Sequence, residues 1–135
     1  MELQESLNIA LEQTDLIGRR FYEVFFKLCP EATVHFDGID MKRQVHVVTM
    51  VLIIVVQLHT HRFEATQAYL RYLGTRHNDR RIPRELYSAW RNAMLETLAA
   101  AHGDRWADDV AGQWAAAFDG AIELMSEGYE TRVTV

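Results

Sequence analysis

The chain has 135 residues, 49% apolar and 24% charged, with a formal net charge of −5 and a pI near 5.6. That suffices for one buried core and not for a second domain. The acidic balance excludes a nucleic-acid partner, which needs a surplus of Lys and Arg on one face.

A single cysteine, Cys29, excludes an internal disulfide and any CxxC-type metal or covalent cofactor motif. It fits a reducing cytoplasm, with any cofactor held noncovalently. The start, MELQESLNIA, lacks the basic segment and apolar core of a signal peptide. Leu3, Leu7, Ala10 and Leu11 fall at helical spacing and predict a short first helix. Ile17, Phe21, Val24, Phe25 and Leu28 predict an amphipathic second helix, with Thr14 as its N-cap. Pro30 and Pro83 are the only prolines, and both suit helix starts, where the missing N–H has no intrahelical partner. A polar corner at 37–40 contains Gly38, and the next helix is predicted from Asp40.

The run from Val45 to Leu58 is β-branched, yet it is too long for a typical strand and shorter than the ~20 residues of a membrane span. It reads as a buried helix. Phe63 to His77 predicts a further helix, broken by Asn78 and Asp79. Another runs from Pro83 to Ala101, closed by His102 and Gly103, and a last one from Asp104 to about Glu127. No strand-turn-strand signal interrupts them. The chain reads as one all-α domain over 1–135, with six to seven helices.

Of six histidines, His77 sits at a basic helix end ahead of Pro83. No HExxH and no second histidine at helix spacing accompany it, which disfavours zinc of the usual three- or four-ligand kind. His59 and His61 are two apart, so they sit on different helix faces in a corner that reads as solvated. GxSxG, GxGxxG and GxxxxGK[ST] are all missing.

Two long segments carry a resemblance. FYEVFFKLCPEATVHF (Phe21 to Phe36) and LGTRHNDRRIPRELY (Leu73 to Tyr87) resemble FYxxLFxxxPExxxxF and LGxxH followed by Pro, Glu and Tyr, as found in bacterial single-domain globins and the heme module of flavohemoglobins. The resemblance spans nearly the whole chain. It implies a globin fold around a heme pocket, with noncovalent heme b and a diatomic gas ligand such as oxygen, CO or NO.

Residue by residue, it implies that His77 is the proximal iron ligand through a neutral imidazole, its other ring nitrogen held by an acceptor. Phe36 matches the phenylalanine flat on the porphyrin, and Tyr22 the distal tyrosine that donates to the bound gas. Leu73 and Ile82 are also among the residues expected to contact the cofactor. An ungapped count from Phe36 puts Arg43 at the distal gate and Val47 one turn on, whereas a one-residue shift would put Gln44 at the gate. His46 is left as a propionate partner, a solvated side chain or a sixth iron ligand. Tyr87 matches the tyrosine of a His–Tyr–Glu network, with Glu123 and Glu127 as candidate carboxylates. Trp90 lines the distal pocket or is an ordinary core tryptophan.

The resemblance admits three activities. The leading one is reversible oxygen binding. Nitric oxide dioxygenation is the second and would require a separate reductase; a gas-sensor domain is the third, and would require an output module. A homodimer is admitted, and no membrane partner is expected.

Overall fold

The computed structural model describes residues 1–134. The described residues form six α-helices and two short 3-10 helices: α1 (Leu3–Leu11), α2 (Thr14–Leu28), a 3-10 turn (Pro30–Phe36), α3 (Met41–His61), α4 (Glu64–Asp79), α5 (Leu86–His102), a second 3-10 turn (Gly103–Arg105) and α6 (Asp108–Glu130). The all-α expectation holds. α2 packs on α3 and α5, α4 packs mainly on α6, and α1 closes over α3, α5 and α6. Burial follows the periodicity: Ile17, Phe21 and Phe25 of α2, Leu52 and Val55 of α3, and Trp114, Phe118 and Ala121 of α6 meet in one core.

Several boundaries differ from the sequence expectation. Thr14 is the first helical residue and not a cap; its hydroxyl donates back to the Leu11 carbonyl at 2.9 Å. Asp40 does cap α3, accepting from the Lys42 amide. Pro83 precedes α5 by three residues, because two successive turns, Leu86 N–H to Pro83 C=O and Tyr87 N–H to Arg84 C=O, intervene. α4 runs through Asn78 to Asp79, and α6 starts at Asp108 and reaches Glu130. α3 is also longer than its apolar run. At 21 residues, with a mean hydropathy of 1.5 over its most apolar stretch, it is long and apolar enough to cross a membrane by length and composition alone. The length argument against a span therefore falls. Its Val45, Val48, Leu52, Val55 and Val56 are nonetheless buried in the helical core.

Glycine sets two helix crossings. A Cβ on Gly18 would collide with the backbone and side chain of Val45, so α2 and α3 touch backbone to backbone only because that position has none. Across α4 and α6 the same device is used from both sides: Gly74 faces the Met125 backbone and Gly128 faces the Arg71 backbone. Thr75 ties the contact by donating to the Gly128 carbonyl at 2.8 Å. Gly74 lies three residues before His77, so this close approach fixes where the end of α4 sits.

Candidate functional site

α4 ends in a Schellman motif. The Ile82 amide donates to the His77 carbonyl (3.0 Å) and the Arg81 amide to the Asn78 carbonyl (2.9 Å), with Arg81 left-handed at φ 59°. A non-glycine residue there costs about 1–2 kcal/mol of backbone strain. The corner thus holds His77 by its own carbonyl.

The His77 ring is held as well. Its Nδ1 lies 2.9 Å from the Tyr87 hydroxyl, Tyr87 donates to the Tyr129 hydroxyl at 3.1 Å, and Tyr129 donates to the Ile82 carbonyl at 2.5 Å. A carbonyl can only accept, so the direction of the whole chain follows: Tyr129 donates outward, Tyr87 donates to Tyr129, and His77 donates from Nδ1–H to Tyr87. The imidazole is therefore the Nδ1–H tautomer, and Nε2 keeps its lone pair. Among the described residues Nε2 has no partner, yet no buried side-chain nitrogen or oxygen of theirs lacks one, so Nε2 opens to accessible space. Burial, with help from the Arg80 cation, lowers the His77 pKa to about 4. The ring is neutral at physiological pH, the form that binds a metal.

Tyr129 is the residue that sequence reasoning missed. Neither Glu123 nor Glu127 joins the chain; Glu127 pairs instead with Arg71 at 3.5 Å. The signal was present, since the α6 stripe of Trp114, Phe118, Ala121 and Met125 continues at helical spacing to Tyr129. Burial raises the pKa of both tyrosines, so both stay protonated and able to donate.

A second constellation lies where α2, the first 3-10 turn and α3 meet. Tyr22 is buried, its ring edge-on to Phe21 (4.8 Å) and Phe36 (5.3 Å), and Phe36 also meets Phe26 at 5.3 Å. Such pairs add about 0.5–1.5 kcal/mol each beyond area burial. Burial pushes the Tyr22 phenol up to about 12, partly offset by the Gln44 side chain in hydrogen-bonding reach of its hydroxyl. On this part of α3 it is Gln44 that lies near the Tyr22 hydroxyl. Arg43 is exposed. One turn beyond Gln44 the buried side chain is Val48, whereas Val47 is 43% exposed.

The remaining candidates separate. His46, two residues past Gln44, lies on another face of α3; it is exposed, with Nε2 3.8 Å from Asp15, so of its three options the structure favours the solvated one. Trp90 packs edge-on between Phe21 (5.4 Å) and Phe118 (5.5 Å), the arrangement of a core tryptophan. Leu73 and Ile82, on either side of His77, are partly covered and stand outside the core cluster. His59 and His61 are exposed at the end of α3, with His61 stacked on Phe63 at 5.0 Å.

The donor set is telling. Among the described residues no group of three or more His, Cys, Asp or Glu could hold a bare metal ion. A metal at Nε2 of His77 must therefore bring most of its ligands with it, as a tetrapyrrole does.

Comparison with known proteins agrees. Leghemoglobin 29 of Vicia faba is 32% identical over 56 residues, 41% of this chain and 38% of that protein, so the match spans well under half of the relative. The family model described as Globin matches residues 19–125, from the second turn of α2 through most of α6. A helical fold with an open, neutral histidine at the end of α4, covered over that length by this model, belongs to the globin family.

Proposed function

We propose that the chain is a single-domain globin of the bacterial type, similar to the heme module of flavohemoglobins, which holds heme b through Nε2 of His77 and binds oxygen reversibly. The observation that carries this reading is His77 itself, neutral, with Nδ1 engaged by Tyr87 and Nε2 free. When bound, heme would supply an iron able to take a diatomic gas, CO and NO included. Leu73 and Ile82 shield the flanks of the proximal side, and Phe36 offers an aromatic face to the ring. Tyr22, protonated and dry, supplies a hydrogen bond to a ligand that carries partial negative charge, and Gln44 steadies its hydroxyl. Val48, buried one turn past Gln44, would narrow the space left for a bound gas.

The balance between binding and oxidative chemistry turns on the partner of His77. A carboxylate there would increase electron density on the imidazole and favour peroxidase-like or dioxygenase chemistry. The chain from His77 holds two phenols and a carbonyl, which supports reversible binding over nitric oxide dioxygenation.

The absorption spectrum of the reduced protein, with and without carbon monoxide, tests the first half: a Soret band that shifts with CO is expected, and its absence in heme-supplied protein would end the proposal. His77→Ala should lose heme. Tyr22→Phe should keep heme and release oxygen about tenfold faster, as loss of one hydrogen bond of about 1.4 kcal/mol predicts. Unchanged release would remove Tyr22 from the role.

A further inference from the structure

We infer that Tyr129 is a positioning residue for the metal-binding histidine: its hydroxyl, anchored on the Ile82 carbonyl, sets the direction of the hydrogen-bond chain and so keeps Nε2 of His77 unprotonated. The inference rests on the reading of His77 as the heme ligand.

Three observations combine. The hydrogen bonds close a circuit, because Ile82 accepts from Tyr129 through its carbonyl and donates to His77 through its amide. The same peptide segment therefore holds the backbone of His77 and, through two phenols, its ring. Tyr129 is in turn placed by contacts on two sides. Its ring stands edge-on to Tyr87 at 5.9 Å and 90°, and the Arg84 guanidinium lies 5.5 Å from its centroid while bonding Glu130 at 3.2 Å. Finally, only an acceptor beyond Tyr87 obliges Tyr87 to accept from His77.

Without the Tyr129 oxygen, the Tyr87 proton has its nearest acceptor in Nδ1 of His77. The phenol would turn around and donate to the ring, and the ring proton would move to Nε2, where it blocks a metal. Tyr129 thus controls a tautomer at two bonds' remove, touching neither His77 nor the iron. It also makes the end of the chain neutral. A proximal histidine braced by a carbonyl keeps imidazole character, whereas one braced by a carboxylate moves toward imidazolate.

The test uses heme-free protein with 15N-labelled histidine, in which two-bond couplings report the protonated ring nitrogen. Wild type is expected to show His77 protonated at Nδ1. Tyr129→Phe, a change at a partly buried position that leaves the ring contacts intact, is expected to shift the proton to Nε2, and Tyr87→Phe to lose the Nδ1–H preference. In heme-loaded protein, Tyr129→Phe is then expected to weaken heme retention about 10- to 100-fold, the range for partners behind a metal ligand. His77 still protonated at Nδ1 in Tyr129→Phe overturns the inference even if heme binds normally. A tautomer shift in protein that takes up no heme leaves the inference standing and removes the heme reading.

Discussion

The molecule contains two histidine chains of similar construction and opposite use. In the core, His102 of α5 is 4% exposed; its Nδ1 donates to the Leu98 carbonyl at 2.7 Å and its Nε2 accepts from the Ser6 hydroxyl at 2.7 Å, while Trp114 donates to Ser6 from Nε1 at 2.8 Å. At the end of α4, the ring of His77 also donates from Nδ1 into a chain that ends on a backbone carbonyl. The difference is at Nε2. In His102 both nitrogens are engaged, so the ring joins α1, α5 and α6 and has nothing left to offer a ligand. In His77 one nitrogen is held back and left open. A histidine is thus a ligand candidate by its unused lone pair and not by its burial or by the length of its network.

Removing Ser6 should have the largest effect and would break the comparison if it failed. Ser6→Ala strands the Trp114 N–H and His102 Nε2 in the core, and it should destabilise the fold by about 2–4 kcal/mol in urea titrations, as two orphaned buried groups predict. Heme uptake by the folded fraction should be unchanged. A Ser6→Ala protein of normal stability would show that the core chain holds nothing together.

Acidification should test the His77 ring next. The folded-state pKa of His77 is about 4, below the value of 6.5 of a free histidine, so the unfolded state takes up the proton first. The contribution of the neutral ring is complete above about pH 6.5 and is lost as pH falls toward 4, a change of about 1–3 kcal/mol. Heme-free His77→Ala should show a shallower loss of stability across this window. A slope identical to wild type would place the neutral histidine elsewhere.

The smallest effect should come from the corner. Arg81→Gly relieves the left-handed strain at φ 59° and should raise the stability of heme-free protein by about 0.5–1 kcal/mol, measured by thermal unfolding. The His77 tautomer should stay as it is, because the Schellman bonds use backbone groups only. A tautomer change in this variant would mean that the Arg81 side chain, and not the backbone turn, shapes the site.

Much of this was legible in the chain. The stripes of α2 and α6 and the Gly38 and Gly103 corners announced the helices, since a 3.6-residue apolar period has one structural meaning over four turns. The two long motifs pointed to the globin family, which the family match bears out, and put forward His77, Tyr22 and Phe36 as its site residues. Less legible were the ends of elements. Pro83 and Asp104 each carried a start signal, and each helix began a few residues later, because local turns satisfied the same amides, while Thr14 opened its helix as the first helical residue and not as the cap. The register at Arg43 and Gln44 depended on one residue in a corner, and a helix turns through 100° per residue, so a slip of one moves the whole face.

The sequence by itself determined an all-α chain and its apolar faces, because those depend on spacing within a few turns. Tertiary structure alone decided which groups meet: Gln44 with Tyr22, Ser6 with His102 at a separation of 96 residues, and Tyr129 with Ile82 at 47. Hydrogen-bond direction is a property of a closed path, and a path through α4, α5 and α6 exists only once the glycines at 74 and 128 have let two of those helices meet.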